Sequence, residues 1–308
     1  MEIFIQILIK VIFPVFMLIG LGAFLHRKFS FDMGTLSKLN HFLLMPAVCF
    51  ANLYESNIAG DTLFFIVTFL ALQSLFLMGI SAGVSRIFNF EKGLSATFKN
   101  SVVLVNSGNF GLPVSQLVFQ HNPLGLSVQI VVLVFQNLLT YTYGLFNSVS
   151  VGRKGSQAIL VFLKTPVFYA FLSGVFFQAT SINIPEFIWT PIENTSNAFL
   201  AIALITLGAQ SAFIKISRLS IPLVLTLVGR LVMAPGIALV TILLLGLEGT
   251  VAQALFIASS FPVSRNSSLF ALEYGNHPDY AAQAVLLTTL CSIITVTAVV
   301  SLSNVIFL

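Results

Sequence analysis

Two interrupted apolar segments sit at matching points in the two halves of this chain and constrain its fold more than any other feature. The first reads Asn106-Ser-Gly-Asn-Phe-Gly-Leu-Pro113, the second Phe261-Pro-Val-Ser-Arg-Asn-Ser-Ser268. Each lies inside a stretch otherwise apolar enough to cross a membrane. A continuous helix satisfies its own backbone, whereas Gly, Pro, Asn and Ser clustered at mid-membrane leave N–H and C=O groups unpaired. Each such group is costly unless the break faces water, protein or substrate. Paired breaks at corresponding positions of two repeats are the best sequence pointer to a transporter's binding site.

With 57% hydrophobic and 8% charged residues, the chain lies far from soluble domains, where about a quarter of residues are charged. At about 20 residues per span, the apolar runs divide into ten: 3–25, 34–53, 61–86, 95–121, 124–150, 157–180, 190–213, 219–246, 250–275 and 279–306. Long continuous runs predict helices, not the short alternating segments of a membrane β-barrel. No soluble domain fits in the remainder. The first run has Glu2 in place of a basic n-region, holds Lys10 within it and is too long for a secretory leader, so it is read as a retained span. Cys49 and Cys291 both fall in spans, which predicts two buried thiols and no disulfide.

A net charge of +4 would suggest nucleic acid in a soluble protein; here its placement says more. Of the 14 Lys and Arg, eleven fall in four loop regions or span ends: Arg27, Lys28 and Lys38; Arg86, Lys92 and Lys99; Arg153, Lys154 and Lys164; Lys215 and Arg218. The intervening loops carry Glu55 and Asp61, Glu186 and Glu193, or Glu248. Cytoplasmic loops hold the excess of Lys and Arg, so spans 1, 3, 5 and 7 end inside and both termini lie outside. The loop near His277 should also be cytoplasmic, yet carries no Lys or Arg.

An internal repeat follows. His121-Asn-Pro123 comes after the first break and Asn276-His-Pro278 after the second, the two prolines 155 residues apart. Each opens a span with a Gln near its start, Gln129 and Gln283, and Gly152-Arg-Lys-Gly-Ser156 forms a hydrophilic joint at the midpoint. An X-Pro at a helix start is common by itself; with matched breaks and span counts it marks a duplication. The first five-helix repeat is 1–151, the cytoplasmic joint 152–156 and the second repeat 157–308. Five is odd, so the second copy enters from the opposite side.

Where a broken helix resumes, it presents free N–H groups and partial positive charge. Pro113 suits the first turn of one second half, and Ser264 to Ser268 could start the other. If the breaks cross near the midplane, two positive ends converge with the donors of Asn106, Asn109, Asn266 and Ser267, an arrangement that favours an anion such as a carboxylate. A plain Pro kink with a capping Asn is the alternative for either break alone. Arg265 lies within the second break, and an intramembrane Arg faces a cavity or a partner. It could bind the substrate's carboxylate or the free carbonyls that end the first half of the broken helix. Arg230, before Met-Ala-Pro235, poses the same choice, with the structural role favoured. Lys10 is read as snorkelling, and Asn40 and His41 as packing or capping groups.

None of the ten Asp and Glu falls at the depth of the breaks; Glu273 comes closest. Cation-coupled carriers usually place carboxylates beside such crossings, so a cation substrate and strong ion coupling are disfavoured. No nucleophile–base pair, metal-spaced His/Cys set or phosphate-cradling loop is evident. The chain is therefore read as a non-enzyme that needs no cofactor and no metal.

On these residues the chain resembles the auxin efflux carrier family, which includes plant PIN-FORMED carriers and bacterial malate and malonate transporters. The likeness is strongest at Asn106 to Pro113, at Val128-Gln-Ile-Val-Val-Leu133 and at Ala271-Leu-Glu-Tyr-Gly-Asn-His-Pro-Asp279, with support from Pro14 and Gly20, Asn40 to Phe50, and Arg230 with Pro235. The resemblance implies an all-α integral membrane protein of ten helices in two inverted five-helix repeats. Its fold would be akin to sodium/proton antiporters and bile-acid transporters, with spans 1, 2, 6 and 7 as scaffold and spans 4 and 9 crossing at the substrate. It maps a substrate-contacting Asn to Asn106 and a crossover Pro to Pro113. A Gln and Tyr of span 5 map to Gln136 and Tyr141, with Gln129 as fallback, and a small polar contact of span 2 to Cys49. The chain departs from the family where a second crossover Pro would fall, near Ser267, and where Arg265 replaces an apolar residue, which suggests a second negative charge on the substrate.

The sequence thus predicts a secondary transporter, in the efflux sense, of small organic carboxylate anions, with multiple passes through the cell membrane. Its partners are the substrate and the lipid bilayer, with no nucleic acid; a homodimer is compatible. The nearest rival is a sodium- or proton-coupled anion symporter of the bile-acid type, and a more distant one a membrane ligand sensor.

Overall fold

A computed structural model of the chain describes residues 2–55, 60–149, 151, 165–214 and 219–307. The joint at 152–156, with Arg153, Lys154, Lys164, Lys215 and Arg218, lies outside the described residues. Every regular element among the described residues is a helix, with one isolated pair of bridged residues between helices. The helices are α1 (2–29), α2 (33–54), α3 (Gly60–Ile87), α4 (Lys92–Val103), α5 (107–118), α6 (Pro123–Val149), α7 (Pro166–Thr180), α8 (Glu186–Ser211), α9 (Ile221–Leu244), α10 (Gly249–Ser259), α11 (Arg265–Tyr274) and α12 (Pro278–Ile306). Among the described residues six are long and apolar enough to cross a membrane, namely α1, α3, α6, α8, α9 and α12, while α7 and α10 are shorter apolar helices. Helix α8 starts earlier than its apolar run, at Glu186, because Pro191 is accommodated inside it near its exposed end.

Among the described residues five π-helical turns interrupt the α-helices, at Leu8–Ile12, Asn40–Leu44, Ser107–Gly111, Thr140–Gly144 and Gly229–Met233. Four of them lead into an α segment whose second residue is Pro: Pro14, Pro46, Pro113 and Pro235. Proline lacks an N–H, and its ring collides with the carbonyl four residues back. Widening the turn just before it relieves the collision. The N–H of the residue preceding each Pro reaches back five residues, as from Met45 to the Asn40 carbonyl and from Ala234 to that of Gly229. Such turns recur at functional sites, and three of the five, at Asn40–Leu44, Ser107–Gly111 and Thr140–Gly144, supply residues to the cavity described below.

Helices α1, α2, α7 and α8 pack on one another. The approach of α1 to α8 is set by glycine: a Cβ on Gly208 would stand 1.8 Å from the Ile19 carbonyl oxygen, and one on Gly22 2.1 Å from that of Ile205. Small residues that let backbones touch are the usual adhesive between helices in lipid. The outer surface carries large apolar side chains, among them Phe13, Phe24, Phe64, Leu75, Leu244 and Ile294, as expected where the solvent is hydrocarbon. Both cysteines are free; Cys49 is buried as anticipated, but Cys291 is exposed on α12. That corrects the expectation of two buried thiols: a span position need not be interior, since a weakly polar thiol is tolerated against lipid as well as against protein.

Replacing Gly208 with Val should lower stability by about 1–3 kcal/mol or more through overpacking, visible as a lower melting temperature in detergent. Gly79→Ala, where nothing lies within 4 Å of the new Cβ, should leave it unchanged or raise it.

Candidate functional site at the crossing of two broken helices

The two breaks solve each other's backbone problem. Between α4 and α5 the chain is extended through Leu104 to Asn106, and between α10 and α11 it passes through Phe261 to Ser264. These segments run antiparallel and pair: Asn106 N–H donates to the Pro262 carbonyl and Ser264 N–H to that of Leu104, both at 2.9 Å. Of the two intervening donors, Val105 N–H reaches Gln136 Oε1 at 3.4 Å and Val263 N–H the Thr288 hydroxyl at 3.1 Å. The Phe110 and Phe261 rings meet edge to face at 5.9 Å. Gly111 is required beside them, because a Cβ there would fall 2.5 Å from the Phe261 ring.

A cavity of about 300 Å³ opens on one side of this crossing. Both resuming helices, α5 and α11, point their N-terminal ends at it: Asn106 to Asn109 and Ser264 to Asn266 are in its wall. The first N–H groups of a helix lack intrahelical partners, so the wall is rich in donors with partial positive charge. The guanidinium of Arg265 joins them, donating to Ser37 Oγ at 3.3 Å, and Lys38 adds a second cation. No Asp or Glu is among the lining residues. Several buried amide atoms around the cavity have no protein partner: Asn106 Nδ2, Asn109 Oδ1, Asn137 Nδ2, and both Nε2 and Oε1 of Gln210. Buried polar groups are seldom left unpaired; a cluster of them around one space marks a place for a polar ligand.

Of the residues singled out from sequence, Asn106, Asn109, Gln136, Tyr141, Arg265 and Asn266 are brought together in this wall. Pro113 is buried one turn into α5, away from the cavity. Ser267 is buried and shares a 3.1 Å hydrogen bond with Ser101, joining α11 to α4. Cys49 is buried in an apolar cluster with Leu44, Val48, Ile130 and Phe199, its thiol 3.8 Å from the Val167 carbonyl. The fallback Gln129 lies outside the cavity and donates to the Ser107 carbonyl at 3.0 Å. Sequence reasoning missed Ser37, Asn137, Thr206 and Gln210 as cavity residues, and gave Asn40 and His41 only packing or capping roles although both line it. Asn40 also donates to Thr206 Oγ1 at 2.8 Å.

Arg230, fully buried, works from the other side of the crossing. Nη1 donates to the Val102 carbonyl at 3.1 Å and Nη2 to the Ser259 carbonyl. These carbonyls belong to the last turns of α4 and α10, the two helices that stop at the crossing. The role considered for Arg265, capping a truncated helix, is thus filled by Arg230, and for both helices at once. Outside the spans, His277 Nε2 bonds Glu91 Oε1, which holds the Glu91 carboxyl below its ordinary range. This contact puts the His277 loop on the same side of the molecule as the loop of Arg86 and Lys92.

The family model described as membrane transport protein, that of the auxin efflux carrier family, matches residues 7–300. The chain belongs to that family, a family of multi-pass membrane transporters and not of enzymes. No curated protein matches it.

Asn106→Ala should remove a donor from the cavity while sparing the fold, since the break is held by the backbone of Asn106 and by its neighbours. A hydrogen bond to a charged group is worth roughly 1.5–3 kcal/mol, so substrate affinity should fall about ten- to a hundredfold in concentration-dependent transport currents.

Proposed function

We propose that the protein is a secondary carrier of small organic carboxylate anions, working by alternating access at the crossing. The observation that carries this reading is the convergence of two helix N-termini, Arg265 and unpartnered amide donors on one cavity without a carboxylate. Such a wall favours a negative group and repels cations. Export of a monoanion would be driven by an inside-negative potential, worth about 2.3 kcal/mol per charge per 100 mV. The reading includes two inverted five-helix repeats, 1–151 and 157–308, each contributing one broken helix. It also includes extracytoplasmic termini in the cell membrane, which would open the cavity, at Ser37 and Lys38, toward the cytoplasm.

Currents on solid-supported membranes across a panel of mono- and dicarboxylates, with and without sodium, test the substrate class. Carboxylate-evoked currents that persist without sodium are expected; a response to organic cations, or to no carboxylate, would defeat the proposal. Arg265→Gln should harm dicarboxylate transport far more than monocarboxylate transport if the guanidinium reads a second charge, because an unpaired buried charge is strongly destabilising. Equal losses with a lower melting temperature would assign Arg265 to structure instead.

The orientation has its own test. In a background lacking Cys49 and Cys291, a cysteine at Lys92 should resist impermeant reagent in intact cells, whereas one at Glu186 should react. The opposite pattern would invert the topology.

A further inference from the structure

We infer that Arg230 is a built-in cation seated where a carrier with crossed broken helices would otherwise hold a coupling metal ion, so that this protein needs no sodium to assemble its site. The inference rests on the carrier reading above, but its main test does not.

Two helices stop at the crossing, and each stop exposes carbonyls and partial negative charge within the bilayer. In crossed-helix transporters, unwound carbonyls and half-helix C-terminal ends coordinate the coupling cation. Here the ends of α4 and α10 are already occupied. One guanidinium takes the Val102 carbonyl with Nη1 and the Ser259 carbonyl with Nη2. Neighbouring acceptors in the last turn of α10 are consumed as well: Ser259 Oγ donates to the Phe256 carbonyl and Ser260 Oγ to that of Ile257, each at 2.6 Å. The space left beside the guanidinium, next to Gln73, Ser74 and Gln136, is about 10 Å³. That is at the threshold for one water molecule, and the Val102 and Ser259 carbonyls that would ligate an ion beside it are already bonded to the guanidinium. None of the residues lining this space is a carboxylate, and arginine does not surrender its proton in proteins. The charge is therefore permanent, and the two helix ends stay joined whatever ion is in solution.

The placement also explains why the cation is an arginine. Its planar fork presents separate donors to two carbonyls from different helices, and the π turn at Gly229–Met233 carries it at the level of the crossing. A lysine could serve both carbonyls only from a single point.

The test uses the full-length protein purified in detergent and reads melting temperature, which requires no substrate; failure of the carboxylate reading would leave the result intact. For the wild type, exchanging sodium for potassium or choline should not move the melting temperature. A sodium-specific rise would overturn the inference. Arg230→Ala opens a carbonyl-lined cavity and should melt lower; millimolar guanidinium, or sodium, should recover part of the loss where choline does not. A variant indifferent to all cations would overturn the inference, since a purely space-filling role predicts that. If Arg230→Ala gives no folded protein, Arg230→Lys and Arg230→Met decide: Lys should fold with a sodium-insensitive melting temperature, while Met, of similar length but neutral, should not. A Met variant as stable as the wild type would overturn it. In reconstituted vesicles Arg230→Ala should transport at least about tenfold more slowly, as expected for uncovering buried partners of a charge, with guanidinium restoring part of the rate.

Discussion

The constraint on which this structure depends is that a backbone inside a bilayer must find all its hydrogen-bond partners in protein or in a water-filled space. A single broken helix could not meet it at mid-membrane. Two breaks can, because extended segments pair: Leu104 to Asn106 and Pro262 to Ser264 exchange hydrogen bonds as a minimal antiparallel ladder. The remaining donors go to Gln136 on α6 and Thr288 on α12, the helices that follow the two broken ones. Neither break is tenable without the other, which accounts for their occurrence as a matched pair.

Breaking two helices at one level also separates charge. On one side of the crossing the resuming helices offer N–H groups to the cavity; on the other, the truncated ones offer carbonyls to Arg230. The protein neutralises the carbonyl side with its own side chain and leaves the N–H side open. That asymmetry leaves one wall of the cavity rich in donors, which is the basis of the proposed preference for an anion.

Much of this was legible in the sequence because Gly, Pro, Asn and Arg within apolar runs are expensive and therefore informative. Asn106 and Arg265 could be picked out for that reason alone. What could not be read was which face of each helix turns inward. Thr206 and Gln210 sit in an α8 that is apolar over most of its inner half, yet they lie four residues apart and so share a face; the same spacing holds for Ser37 with His41 and Asn137 with Tyr141. Polar pairs at that interval are the signal that was available. The choice between Gln129 and Gln136 had no such resolution: both are buried on α6, and only the position of the break decides that the first serves the Ser107 carbonyl and the second reaches the cavity. Arg230 was visible as an anomaly, but its partners come from helices more than 100 and nearly 30 positions away, and no local pattern encodes them.

The same packing bears on how such a molecule could move. Where α2, α7 and α8 meet α5 and α6, the contact is made by Leu44, Met45, Val48 and Phe199 against Leu112, Ile130 and Leu133. Hydrogen bonds across this boundary are long, 3.3 Å from Arg265 to Ser37 and 3.5 Å from Ser127 to the Asn52 carbonyl. Several of those that tie each side together are shorter: Asn40 to Thr206 at 2.8 Å on one, Thr97 to the Asn276 carbonyl at 2.6 Å and Asn100 to the Gly144 carbonyl at 2.9 Å on the other. Dispersion between apolar surfaces is non-directional and is recovered after a displacement, whereas a short hydrogen bond is tied to one geometry. Under the proposed alternating access, a crossing held by paired backbones and Arg230 and set against the apolar contact at Leu44, Val48 and Phe199 would shift as one body.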